Sequence, residues 1–304
     1  MNNYDFTPHQ TADGSLTFFS HEFNESFHSN YGAKQESYFK YVVPTLLIEK
    51  SQSSVLRLLD VCYGLSYNTA TAIQNIWRAN PNCYIEVIAL ELNPMVPQAA
   101  IKQNIFDSWN HDLRQILQTL AFEHQVETEY LKATLLIGDA RDKIQQVYKS
   151  GFQADAIFLD PFSPPQCPLL WTIEYLKLVS QCLLLIGLLA TYSCAAAVRT
   201  ALLTAGLNIG STFPVGRKTP GTVAGFNAKG YSNRTKTNLD PPIHQLPALT
   251  QSEKEHLRTR AAIPYRDPQL IDSPSLILER RSLEQQASQL EPTSRWRKRW
   301  LLVN

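Results

Sequence analysis

Four acidic residues in this chain sit at the ends of short apolar runs. Residues 55–61 read VLRLLDV and carry Asp60. Residues 84–90 (YIEVIAL) are followed by Glu91, residues 134–137 (TLLI) by Gly138 and Asp139, and residues 154–159 (ADAIFL) by Asp160. Short apolar runs bounded by turn residues read as buried strands. In open α/β sheets, ligands bind outside the carboxyl ends of the strands, so these four carboxylates are expected to line one rim of one cleft. An acid at a strand end also caps the helix that follows, but four in succession point to a rim that binds a nucleoside. Glu91 is placed to accept both hydroxyls of a ribose, and Asp139 to accept from an adenine amino group.

The loop after the first of these strands identifies the kind of nucleoside. Residues 60–68 read DVCYGLSYN, with Gly64 as the one glycine. A dinucleotide site needs G-x-G-x-x-G so that backbone amides can approach a pyrophosphate. One glycine gives backbone room for a cofactor without phosphates, and S-adenosylmethionine fits the pattern better than NAD. Asp160 opens the sequence Asp160-Pro161-Phe162-Ser163-Pro164-Pro165, which predicts a rigid lip beside the cofactor's reactive methyl. A carboxylate there can hold a substrate amine, steer its lone pair and accept the proton it releases.

The elements that must position these groups alternate. Strands are expected at 55–61, 84–90, 134–137, 154–159 and 187–192. Helical text covers 69–79, the stretch from about 95 to 129, 141–149, 174–184 and a segment through Leu203 capped at Gly206. A terminal hairpin is expected in VGRKTPGTVAGFN at 215–227. Strands alternating with helices of this length form a doubly wound, Rossmann-like parallel α/β sheet. The expected organisation is an N-terminal segment over 1–50, a methyltransferase domain over 51–228 and a basic C-terminal extension over 229–304.

Composition bounds the rest. With 44% hydrophobic and 10% aromatic residues the chain is an ordinary globular protein, which excludes collagenous or disordered classes. The longest apolar run, residues 182–190, falls short of a membrane span, and no secretory signal is visible in MNNYDFTPHQ. Five cysteines without a CxxC pair argue against a disulfide framework or a zinc site, and for the reducing cytoplasm. The net charge is +1, yet no acid occurs between positions 174 and 240, where Lys177, Arg199, Arg217, Lys218, Lys229, Arg234 and Lys236 stand. The tail SRWRKRW adds Arg295, Arg297, Lys298 and Arg299. Such stretches suit a polyanion such as RNA.

The sequence resembles the methyltransferase domain of MnmC, the bifunctional tRNA wobble-uridine enzyme, and more closely its stand-alone relatives. The resemblance covers most of residues 14–225. It begins at Gly14-Ser15-Leu16-Thr17 and runs through Phe27-His28-Ser29, Gly32-Ala33-Lys34-Gln35-Glu36-Ser37 and Tyr41-Val42, then residues 62–68, where the family has G-F-G-T-G-L-N, and Glu91. Residues 155–164 (DAIFLDPFSP) resemble the family's DAWFLDGFAP, with Trp171-Thr172 after it. Leu189-Ala190-Thr191-Tyr192-Ser193, Val198-Arg199, Ala205-Gly206, Gly216-Arg217-Lys218 and Gly225 complete the match.

The resemblance implies N-methylation of the 5-aminomethyl group of a tRNA wobble uridine by S-adenosylmethionine, with the aminomethyl group installed by other enzymes. It implies Asp160 as the catalytic acid, and Cys62, Tyr63, Gly64, Asn68, Glu91, Asp139, Ala140, Asp160 and Pro161 as cofactor contacts. Glu36, Phe162, Arg217, Lys218, Arg295, Arg297, Lys298 and Arg299 are expected to meet the substrate. No FAD, metal, membrane or obligate protein partner is expected. Cys62 and Ser66 replace two family glycines, and Pro161 replaces a third, which stiffens the lip. Two alternatives are a polyamine aminopropyltransferase, which shares the acid rim, and a non-catalytic RNA-binding protein on a degenerate methyltransferase fold.

Overall fold

The computed structural model describes residues 8–216, 218–227 and 246–300. Its first elements are a small antiparallel sheet of β1 (Pro8–Gln10), β2 (Leu16–Ser20) and β3 (Glu25–Ser26). Helix α1 (Ala33–Ser37) runs into a π-helical turn over Tyr38–Val42, and α2 (Leu47–Lys50) follows. The main body then alternates β4 (Val55–Val61), α3 (Tyr67–Ala79), β5 (Tyr84–Glu91), α4 (Met95–Lys102), α5 (His111–Glu123), β6 (Gln125–Glu127), β7 (Leu131–Ile137), α6 (Ala140–Lys149) and β8 (Ala154–Leu159). After these come α7 (Ile173–Gln181), β9 (Leu183–Thr191), α8 (Ala196–Thr204), β10 (Asn208–Ser211) and β11 (Thr222–Gly225).

The main sheet has the order β10-β11-β9-β8-β4-β5-β7-β6. Its five central strands are parallel, β6 and β11 run against them at either side, and β10 pairs antiparallel with β11 at the outer edge. Parallel strands buried on both faces need apolar residues on both. Along β4, Leu56 and Leu58 enter one core with Ile73 and Leu117, while Leu59 and Val61 enter the other with Ile144, Trp171 and Val198. The chain winds from β4 to β5 in one direction and later reaches β8 on the other side of β4. The switch point of this doubly wound sheet, where such folds open their crevice, therefore lies between β4 and β8. No helix among the described residues is long and apolar enough to cross a membrane.

Three elements depart from the sequence expectations. The helical text after β5 is two helices. The second starts at Asn110, whose side chain accepts from Asp112 N at 2.8 Å, and stops at His124 in left-handed conformation (φ 63°). The residues beyond it pair as the edge strand β6 rather than continuing the helix to 129. Strand β9 starts at Leu183, where residues 182–184 had read as helix. Its pairing with β8 shifts register between Ala154 and Ala156, and at Gly187 a Cβ would lie 2.7 Å from Ala154 O. The edge hairpin is formed by β10 and β11, so residues 215–216 and 218–221 belong to the loop that joins them.

Residues 246–300 pack on the helices and on the edge strand β10, where Ser211 N donates to Pro247 O at 3.1 Å. They carry α9 (Gln251–His256), α10 (Pro274–Ala287) and α11 (Thr293–Trp300). Ile277 is fully buried in the second core, and Trp296 stacks on His256 with ring centroids 4.0 Å apart. Arg199 pairs with Glu253 at 2.7 Å. The Asp267 carboxyl, fully buried, accepts from Ile271 N, Asp272 N and the Arg141 guanidinium at 3.0 Å. Arg141→Met would strand that buried charge, at a cost of about 3–5 kcal/mol. We expect urea unfolding to record a loss of this size; a variant as stable as the parent would show that the pair does not anchor the segment.

Candidate active site

The loop from β4 to α3 is built on left-handed backbone. Cys62, Gly64 and Ser66 have φ of 71°, 53° and 73°. Glycine adopts this conformation freely, whereas other residues give up roughly 1–2 kcal/mol each. Cys62 and Ser66, at positions where the family pattern has glycine, thus hold a backbone that glycine would adopt without strain. The loop is tied to the end of β5: Cys62 N and Tyr63 N donate to Leu90 O at 3.1 and 2.9 Å. Gly64 N donates to Glu91 Oε2 at 2.8 Å, and Asn93 N to Glu91 Oε1 at 2.9 Å. Burial raises the Glu91 pKa against the pull of these backbone donors.

Asp160 begins the lip beyond β8, and its N–H donates to Val61 O at 3.1 Å. Asn68, in the first turn of α3, donates from Nδ2 to Asp160 Oδ2 at 2.8 Å. Burial pushes the Asp160 pKa up to about 6, opposed by Tyr41, Asn68 and the charge of Lys40. The Tyr41 hydroxyl is buried near this carboxyl without closing a hydrogen bond of standard geometry. The lip is braced on both sides. Tyr192 donates from its hydroxyl to Pro161 O at 2.9 Å, and Trp171 from Nε1 to Phe162 O at 2.8 Å.

The β2–β3 hairpin closes over this lip. Phe23 stacks on Phe162 at 4.5 Å, Phe27 meets the same ring edge-on at 5.1 Å, and Ser163 donates from both N and Oγ to Glu25. Beneath the hairpin lies a cavity of about 530 Å³. Asp160, Pro161 and Phe162 line it, as do Cys62, Tyr63, Gly64 and Asn68. Glu91, Asp139, Ala140 and Glu36 complete the set of expected residues brought together there.

Asp139 caps α6 by accepting from Arg141 N at 2.8 Å and also pairs with the Arg141 guanidinium at 2.8 Å. Burial opposes its ionisation, but the bonds from Arg141 hold its pKa below the usual value. His28, also in the wall, is driven down to about 4 by burial, so its ring is neutral near pH 7.

Asp60 departs from expectation. It lies inside the paired run of β4, opposite Ala89 and Phe158, and is fully buried behind the rim. Its Oδ2 accepts from Thr69 Oγ1 at 2.6 Å, while Oδ1 has no partner. Burial, reinforced by the nearby Asp160 and Glu91 charges, pushes its pKa up to about 8. The rim therefore holds three of the four acids.

The expected RNA contacts are not gathered at the cavity. Lys218 is exposed in the loop between β10 and β11. Arg217, Lys229, Arg234 and Lys236 lie outside the described residues. Arg295, Arg297 and Lys298 are exposed on α11, whereas Arg299 is engaged by Glu255 and Glu291, both at 2.9 Å. Sequence reasoning missed Phe23, Glu25, Lys40 and Tyr192. The aromatic-rich text before α1 was the one available signal for the hairpin, and the four-residue spacing of Glu36 and Lys40 for their pairing.

Residues 103–227 match a family described as S-adenosyl-L-methionine-dependent methyltransferase. The fold is similar to the crystal structure of MnmC2 from Aquifex aeolicus, with a TM-score of 0.77 and 33% identity, covering 93% of this chain and 86% of that one. An uncharacterized protein of Methanocaldococcus jannaschii is 27% identical over 279 residues, 90% of this chain and 70% of that protein. The tRNA 5-methylaminomethyl-2-thiouridine biosynthesis bifunctional protein MnmC of Acidovorax sp. is 27% identical over 203 residues, 64% of this chain. The aligned part is 31% of that bifunctional protein, so the chain matches less than a third of its length.

Ser66→Gly tests the strained loop. Relief of about 1 kcal/mol in the folded state should offset the extra freedom glycine has in the unfolded chain, leaving Tm unchanged or slightly raised. A fall of several degrees would contradict the strain.

Proposed function

Because this chain belongs to the MnmC-type S-adenosyl-L-methionine-dependent methyltransferases, we propose that it N-methylates the 5-aminomethyl group of wobble uridine in tRNA. The cavity residues fit the cofactor chemically. Asn68 Oδ1 is a buried acceptor without a partner in the wall, suited to an ammonium donor. Each Glu91 oxygen takes one backbone N–H and has a second lone pair for a hydroxyl. Cys62, Tyr63, Gly64 and Asn68 would hold the amino-acid part, Glu91 the ribose, and Asp139 and Ala140 the adenine, with Asp160 and Pro161 beside the reactive end. The bound cofactor supplies a methyl group on a positively charged sulfur.

The observation that carries the reading is the state of Asp160, a carboxyl held in one orientation by Asn68 with a pKa near 6. At neutral pH it is ionised, accepts a hydrogen bond from the substrate amine and points the nitrogen lone pair away from itself. A base with a pKa close to the working pH also takes up the proton the amine must lose. Phe162, stacked on Phe23 of the hairpin, lines the space assigned to the pyrimidine ring, as do Phe23 and Glu25. Lys218, Arg295, Arg297 and Lys298, all exposed, are the cations assigned to the tRNA phosphates in this reading.

Asp160→Asn should lower methyl transfer to tRNA carrying 5-aminomethyluridine by roughly 100-fold or more. The readout is label from S-adenosylmethionine and a 5-methylaminomethyl nucleoside in mass spectrometry. Full turnover by the variant would remove Asp160 from the chemistry. For the parent, protonating Asp160 disables it, so kcat should fall tenfold per pH unit below about 6. A profile flat to pH 5 would exclude this acid as the group that limits the rate. Counterion release predicts that Arg295/Arg297/Lys298→Ala binds tRNA with a shallower salt dependence. An unchanged slope in filter binding would place the tail outside the interface.

A further inference from the structure

One buried ion pair in the cavity wall has no part in the chemistry derived so far. Glu36 and Lys40 stand one turn apart where α1 passes into the π-helical turn. Lys40 Nζ lies 3.0 Å from Glu36 Oε1, and the two side chains are only 9% and 8% exposed. Burying a pair of charges is costly and rarely adds stability by itself, and π-helical turns concentrate at functional sites. The pair is held in place from outside. Ser29 donates to Glu36 from both N and Oγ. In the β10–β11 loop, a Cβ on Gly216 would lie 3.0 Å from Glu36 Oε1.

Both residues line the cavity that Asp160 lines. Other charged or polar groups around them are His28, Tyr41, Asn68 and Tyr192, all in the same wall, with Asp60 behind it. Three charged side chains, the carboxylate of Asp160, the ammonium of Lys40 and the carboxylate of Glu36, thus line one cavity, with Lys40 and Glu36 in contact at 3.0 Å.

We propose that Asp160, Lys40 and Glu36 form a row of acceptor, donor and acceptor that reads the acceptor base as uracil. In a 5-aminomethyluracil the C5 substituent carries the amine, the neighbouring C4 carries a carbonyl oxygen, and the next ring position is N3–H. The base thus presents a donor, an acceptor and a donor along one edge. Asp160 meets the amine, Lys40 donates to O4, and Glu36 accepts from N3–H. A 5-aminomethylcytosine presents an amino group at C4 and a bare N3, so Lys40 would face a donor and Glu36 a lone pair. A site built to hydrogen-bond one pattern rejects the analogue that leaves its buried polar groups unpaired. The row makes no use of the C2 substituent, so oxygen and sulfur there are read alike. This inference rests on the wobble-uridine reading above and names the residues that select the base.

The test uses anticodon stem-loop RNAs with either 5-aminomethyluridine or 5-aminomethylcytidine at the wobble position, and labelled S-adenosylmethionine. The full chain should prefer uridine by about 100-fold or more in kcat/KM. Lys40→Met should lose about tenfold or more on uridine without a matching loss on cytidine, shrinking the preference. Lys40→Arg, which keeps a cationic donor, should recover most of it. Glu36→Gln can turn its amide NH₂ toward a bare N3 and should raise the relative rate on cytidine. Unchanged preference in both Lys40→Met and Glu36→Gln, with cofactor binding intact by calorimetry, would overturn the inference. So would equal use of both RNAs by the parent, which would leave the methyltransferase reading standing. A parent that binds cofactor but methylates neither RNA would overturn the wobble-uridine reading and this inference with it.

Discussion

The hydrogen bond from Asn68 to Asp160 joins the two loops that the sheet opens at its switch point. Asn68 belongs to the first turn after β4, and Asp160 to the first residue past β8, the neighbouring strand. Parallel strands deliver all their carboxyl ends to one edge, so the loops after β4, β5 and β8 must share that space. The backbone donors of residues 62–64 are consumed by Leu90 and Glu91, and the lip is held by Val61, Tyr192 and Trp171. With the backbone so committed, this side-chain contact ties the two loops together. It sets the direction in which the Asp160 carboxyl faces.

Electrostatics sorts the acids that the sheet brings together. The charges of Asp160 and Glu91 lie close enough to raise the pKa of Asp60, and buried carboxylates cannot all remain charged without solvent or partners. Asp60, with one bond from Thr69 and one orphan oxygen, has its pKa raised to about 8. Asp160 has Asn68 and the Lys40 charge to help it, and stays near 6. Asp139 has Arg141 and is held low. Groups of one chemical type thus differ in protonation at neutral pH, and the partner each finds decides which of them can act as a base.

The substituted glycine positions show how side-chain type and backbone conformation separate. Cys62 and Ser66 are not residues that favour a left-handed turn, yet both adopt one, because the loop must bring Gly64 to Glu91 and still start α3 at Tyr67. Tertiary constraint overrides local preference there, at a local cost of the order of 1 kcal/mol per residue. The same holds at β9, where an apolar run with no periodicity reads as helix until pairing with β8 makes Leu183 a strand residue.

By itself, the sequence determined the alternation of strands and helices, the family, and the residues that end β5, β7 and β8, because those depend on apolar runs and turn residues adjacent in the chain. The family's ordered motifs marked Asp160, Asn68 and Glu91, and the cavity brings them together. Only the tertiary structure decided which acids face it: Asp60 is one residue short of the end of β4, still inside the paired strand, and is turned toward Thr69. It alone could show that residues 19–29 cover the lip, since Glu25 and Ser163 are 138 positions apart. It also engaged Arg299 with Glu255 and Glu291, where the linear charge pattern offered a basic cluster. Contacts between distant segments depend on how whole layers dock, and composition along the chain carries no record of that docking.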